Sequence, residues 1–203
     1  MNAVAEKLTT TPDELLAMPD EKDFELVDGQ CVERNVGSMS SWVGGRLYRL
    51  ISDYCDAHAL GLVWPADNGF RCFPDDPNQV RKPDVSFVRR GRLADDRPPD
   101  GYVTVAPDLA VEVLSPNDLA LEVDHKITEY LGAGVGLVWV VNPQVRAVRV
   151  HRADGTVAWL TAKDELSGDG VLPGFACPVE AIFPPTAAPG GAARNELGHG
   201  PGA

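Results

Sequence analysis

The run LAVEVL, Leu109–Leu114, constrains the fold more than any other stretch. Five of its six residues are apolar, so it reads as a strand buried inside a sheet. Glu112 stands in its middle. A lone carboxylate in a dry strand costs several kcal/mol unless it is paired, protonated or bound to a metal. The fold must therefore supply a sheet interior and something to offset Glu112.

The flanking sequence supplies elements for such a sheet. Residues 118–133 form a predicted helix, GLVWVV (136–141) a strand, and RAVRVHR and TVAWLTA a hairpin around Asp154-Gly155. Upstream, Thr11, Pro12 and Glu14 make a capping box at the start of a short helix. FELVDGQCVERN places Asp28-Gly29 between two β-prone runs, a strong hairpin signal. Val43, Leu47, Leu50, Ile51 and Tyr54 line one face of a helix from about Ser40 to His58. GLVW, NGFRCF and VSFV read as short strands, and 89–107 as a loop. The mixed order predicts an α/β or α+β domain with one central sheet. Its expected limits are 11–183, with a flexible N-terminus at 1–10 and a disordered Pro/Gly/Ala-rich tail at 184–203.

Charge narrows the function. The 18 Lys and Arg against 30 Asp and Glu give a net charge of −12. That field opposes broad, non-specific binding to nucleic acid, although a local basic cleft is compatible with it. The four cysteines are scattered with no C-x-x-C pair, as expected for reduced thiols in the cytoplasm, and a zinc site is not expected. No apolar run reaches the roughly 18 residues of a membrane span, and the N-terminus lacks a signal-peptide core.

Three residues stand out for chemistry. Asp84 follows Pro83 at the mouth of the VSFV strand, where an acid can also serve as a simple turn contact. In the helix after LAVEVL, Leu119, Val123, Ile127, Tyr130 and Leu131 form an apolar stripe at about 100° per residue. Lys126 lies at the edge of that stripe beside Tyr130, either snorkelling to water or aimed at the carboxylates. His125 falls on the outer, solvated face. Two carboxylates on neighbouring strands suit a hard divalent cation such as Mg²⁺ or Mn²⁺. Such a cation polarises a phosphoryl oxygen, and a Lys neutralises charge developing on it. Arg81, Lys82, Arg89, Arg90 and Arg92 flank Asp84 and either track a phosphate backbone or form a solvated loop.

PDVSFV, PDLAVEVLSPND, KITEYLGAGVGLVWVVNP and FELVDGQ, in that spacing, resemble the Uma-type family of restriction endonucleases, a branch of the PD-(D/E)XK nuclease superfamily. The resemblance implies a restriction-endonuclease-like central mixed sheet flanked by helices, with an N-terminal hairpin. It implies catalytic residues Asp84, Glu112 and Lys126, with metal held by Asp84, Glu112 and the main-chain carbonyl of Val113. It also implies a Mg-dependent endodeoxyribonuclease acting on DNA, with a homodimer as an expectation by analogy. The chain departs from the pattern in places. Leu114 stands where the superfamily's Lys usually lies, so Lys126 restores the motif only if its helix packs over the strand's end. SMSSWVGG lacks the His that the family often has near the start of the first long helix, and Asn142 replaces an Asp, a change read as structural. Glu25 matches a recurrent family acid, either near the metal or merely paired with an Arg. The rival readings are a catalytically degenerate nuclease-fold module that binds DNA or protein, and a phosphodiesterase for small nucleotides.

Overall fold

The computed structural model describes residues 9–35 and 37–185. Its centre is one six-stranded sheet in the order β3-β4-β5-β6-β7-β8. These strands are β3 Gly61–Pro65, β4 Val85–Arg89, β5 Leu109–Val113, β6 Leu137–Asn142, β7 Ala147–Arg152 and β8 Val157–Thr161. Only β5 and β6 run parallel within it; the other neighbours are antiparallel. A parallel pair needs a crossover, and α3, Ala120–Gly132, supplies it.

LAVEVL sits at the centre of this sheet, and every residue of β5 is buried. Successive side chains of a strand point to opposite faces. Leu109, Val111 and Val113 join Val43, Leu47 and Ile51 of α2, Ser38–His58, on one face. Ala110 joins Val123, Ile127 and Tyr130 of α3 on the other. Glu112 shares the α3 side with Ala110, so helix packing decides what surrounds its carboxylate.

The N-terminal part carries α1, Pro12–Leu16, with Thr11 and Glu14 capping each other's backbone N–H groups. The hairpin β1 Phe24–Val27 and β2 Gln30–Glu33 forms a separate two-stranded sheet. Its turn puts Asp28 at φ 49° and Gly29 at φ 72°, the two left-handed positions that Asp-Gly favours. Leu26 pairs with Val80 and ties the hairpin to the segment leading into Asp84. Two very short strands, β9 Glu165–Ser167 and β10 Ala176–Pro178, and a 3₁₀ turn at Val179–Ile182 complete the α2 face.

The structure corrects three expectations. NGFRCF is not a strand: only Phe70 forms bridges, to Arg81 and to Val103. Phe70 and Phe73 are buried in different apolar clusters, which bends the chain out of any ladder. The third helix begins at Ala120 rather than 118, because Leu119 has an extended backbone. Leu119 is 61% exposed and leaves the apolar stripe, which keeps Val123, Ile127 and Tyr130 buried and Leu131 half-buried against them. β9 and β10 were not expected at all; three residues give too little alternation to read. The expected flexible ends lie outside the described residues apart from residues 9, 10, 184 and 185, and Thr10 donates its N–H to the Gly29 carbonyl at 2.9 Å. Cys31, Cys55, Cys72 and Cys177 are free thiols. No described helix is long and apolar enough to cross a membrane.

Gly61 is structurally required. It opens β3 at φ 154°, and a Cβ there would collide with the Val88 carbonyl. Gly61→Ala is expected to cost about 1–3 kcal/mol through this forced backbone shift. A lowered urea midpoint with unchanged slope measures it.

Candidate active site

The end of the β4–β5 pair sets the first two groups. The ladder closes at Val85↔Val111. One residue further, the Asp84 carboxylate replaces the ladder: its Oδ2 accepts the Val113 N–H at 2.7 Å. Its other oxygen, Oδ1, lies 3.4 Å from the Arg34 guanidinium. Glu112 is 8% exposed and its oxygens have different partners. Oε1 accepts the Tyr130 hydroxyl at 2.7 Å, and Oε2 lies 3.3 Å from Lys126 Nζ. Glu112 is therefore offset by two donors one helical turn apart on α3.

Lys126 is shared. Its Nζ also lies 3.1 Å from Glu25 Oε2 on β1. Glu25 in turn accepts from Arg81 at 3.0 Å and from the Lys82 N–H at 2.9 Å. Arg81 reaches on to Glu129 of α3 through two hydrogen bonds of 2.7 and 2.9 Å. A chain of charges, buried at Glu25 and Arg81 and half-buried at Lys126 and Glu129, thus fastens α3 to the hairpin and holds Lys126 over the end of β5.

The charges are unevenly satisfied. Burial, and then the charge of Glu112, push Asp84 up to about 7. Burial also raises Glu112 above the usual carboxylate range, although Lys126 pulls against it. Burial would raise Glu25 too, but Lys126, Arg81 and the Lys82 N–H outweigh it and bring it to about 2. Burial opposes the charge on Lys126, and the Glu112 and Glu25 carboxylates outweigh that, so it stays firmly protonated. Lys126 pulls down both acids that it touches. Glu25, with Arg81 and the Lys82 N–H beside it, ends low, whereas burial, and then the Glu25 charge, keep Glu112 raised.

Those raised values have a measurable consequence for stability. An acid whose folded pKa lies above its unfolded value stabilises the fold below the unfolded pKa and loses that contribution as pH rises through the folded value. For Asp84 the window runs from about pH 4 to about pH 7. Without added metal, Asp84→Asn is expected to raise the Tm at pH 8 and to change it little at pH 4. Thermal melts of the two proteins at both pH values check this.

The donors fit a hard cation. Each carboxylate has one short, fixed bond, from the Val113 N–H or the Tyr130 hydroxyl. The remaining oxygens, Asp84 Oδ1 and Glu112 Oε2, are held only at 3.4 and 3.3 Å by cationic side chains. Those two oxygens are the ones a divalent cation would take. Among the described residues, no three His, Cys, Asp or Glu side chains form a metal cluster. The remaining ligands would be main-chain and water oxygens, a set that suits Mg²⁺ or Mn²⁺ better than zinc.

Asp84, Glu112 and Lys126 line one cleft of about 200 Å³, together with Glu25, Arg34 and Val113. His125 is exposed at its rim. Asn142 Oδ1 accepts the N–H groups of Gln144 and Val145, so it caps a turn. The expected basic track is not there as drawn. Arg81 and Lys82 are 6% and 1% exposed and are taken up by Glu25, Glu129 and Glu21. Arg90 pairs with Asp96, and Arg92 with Asp108. Tyr130, Arg34 and Glu129 went unread as site residues. Only Tyr130 carried a signal, its place four residues after Lys126 on the same stripe.

A family model described as "Uma2: Putative restriction endonuclease" matches residues 12–180. A solved structure titled a putative nuclease belonging to DUF820, from Anabaena variabilis ATCC 29413, superposes with a TM-score of 0.71 at 19% identity. The match covers 85% of this chain and 97% of that one, so the two share a fold. No curated protein matches.

Proposed function

The chain is a member of the Uma2 family, and from that premise we propose that it is a metal-dependent endonuclease hydrolysing phosphodiester bonds in DNA. The observation that carries this reading is the meeting of Asp84, Glu112 and Lys126 in one cleft, with Lys126 bonded to Glu112. Asp84, Glu112 and the Val113 carbonyl would hold Mg²⁺ or Mn²⁺. When bound, such a cation supplies Lewis-acid polarisation of the phosphoryl oxygen and acidifies water. The Lys126 ammonium, held protonated by its carboxylate neighbours, offsets negative charge developing on the phosphoryl group. Arg34 lines the same cleft and gives the phosphate a second cation.

Incubation of the purified protein with plasmid and linear DNA, with Mg²⁺ or Mn²⁺ and with EDTA, tests the proposal. Cleavage that EDTA abolishes supports it; no cleavage of any nucleic acid with either metal overturns it. Lys126→Ala is expected to slow cleavage about 10²- to 10³-fold, the scale for losing one charge-stabilising group. Its cation affinity should equal or exceed that of wild type, because a like charge has left the carboxylates. Kinetics and calorimetry on the same preparation check both.

A degenerate binding module is the second reading. It is favoured by the full pairing of Lys126 with two carboxylates. DNA binding without metal binding or cleavage, left intact in the Asp84, Glu112 and Lys126 triple variant, would establish it.

A further inference from the structure

We propose that Tyr130 is a positioning residue, whose hydroxyl fixes the rotation of the Glu112 carboxylate so that Oε2 is presented to the cleft. The inference rests on the metal-dependent reading above. The terminal torsion of a Glu side chain is broad and roughly two-fold, so packing alone does not distinguish its two oxygens. Here they are distinguished: Oε1 takes the Tyr130 hydroxyl at 2.7 Å, and Oε2 faces Lys126 at 3.3 Å.

The phenol is rigidly placed. Tyr130 is fully buried and its ring packs against Phe73 with centroids 6.1 Å apart. A buried tyrosine hydroxyl requires an acceptor, and Glu112 Oε1 is the one it has. Lys126 and Tyr130 lie one helical turn apart, so a single face of α3 addresses both oxygens of one carboxylate. Without the hydroxyl, Oε1 loses its only short donor. The carboxylate is then free to turn, and Lys126 can bridge both oxygens in place of a cation.

Calorimetric titration of Mn²⁺ into wild type, Tyr130→Phe and Glu112→Gln tests this. Tyr130→Phe keeps the ring and removes only the hydroxyl. It is expected to bind Mn²⁺ about 10- to 100-fold more weakly, the range for an outer partner of a metal ligand. KM for DNA should stay near wild type while kcat falls, and raising Mn²⁺ should restore much of kcat. Unchanged Mn²⁺ affinity in Tyr130→Phe, with wild-type binding that Glu112→Gln abolishes, overturns this inference and leaves the metal site standing. Wild type and Glu112→Gln that bind Mn²⁺ indistinguishably overturn both. If Tyr130→Phe lacks a cooperative melt, the buried Tyr130 hydroxyl proton of wild type is followed by NMR during Mg²⁺ titration. A shift with the calorimetric midpoint supports the proposal; an unmoved resonance overturns it.

Discussion

Glu112→Gln is expected to reduce DNA cleavage by about 10³-fold or more and to remove Mn²⁺ binding with it. A bound cation contributes several kcal/mol to the transition state, and each 1.36 kcal/mol is about a factor of ten in rate. Gln keeps the shape of Glu and one oxygen for the Tyr130 hydroxyl, so packing is preserved. It loses the negative charge that a divalent ion requires. Removing a carboxylate whose pKa is raised by burial also relieves the metal-free protein. The variant should therefore melt no lower than wild type in EDTA. Loss of activity with unchanged metal affinity would move the cation elsewhere.

Arg81→Met is expected to have the largest effect on stability, about 3–5 kcal/mol, the cost of leaving a buried charge without its partner. Arg81 joins Glu25 on the hairpin to Glu129 on α3, and both it and Glu25 are buried. Glu25, 2% exposed, would keep only Lys126 and the Lys82 N–H. Because its folded pKa is depressed to about 2, Glu25 stabilises the fold above its unfolded value and loses that contribution as pH falls through about 2. The difference between Arg81→Met and wild type should accordingly shrink toward pH 2. Urea titrations at pH 7 and pH 3 measure it, and a loss below about 1 kcal/mol at pH 7 would show the network to be neutral for stability.

Local chemistry was what the sequence displayed best. The capping box at Thr11, the Asp28-Gly29 turn and the buried run at Leu109–Leu114 each act over a few residues, and each forms as its pattern dictates. Helical angle put Lys126 at the edge of the buried stripe and left open whether it reached water or the carboxylates. Pairing between distant segments was not. Arg81 and Lys82 stand in a run of basic residues and looked solvated, yet they are buried because Glu25, Glu129 and Glu21 arrive from other elements. Tyr130 looked purely apolar because a stripe does not reveal what its one polar atom will meet. Neighbours in sequence report on propensity; burial is decided by segments tens of residues away.

The small apolar footprint of α3, held largely by ion pairs, has a consequence for how the protein fails. Of its 13 residues only Val123, Ile127 and Tyr130 are buried. Most of the core lies on the opposite face of the sheet, with α2 and the C-terminal strands. Detachment of α3 therefore needs less free energy than global unfolding, and it carries off Lys126 and Tyr130 together. Such an opened molecule keeps its sheet, loses the helical signal of α3, since so short a helix does not persist alone, and has no working cleft. Heat should then inactivate the protein below its melting temperature, and amide exchange along α3 counts the molecules that are momentarily inert.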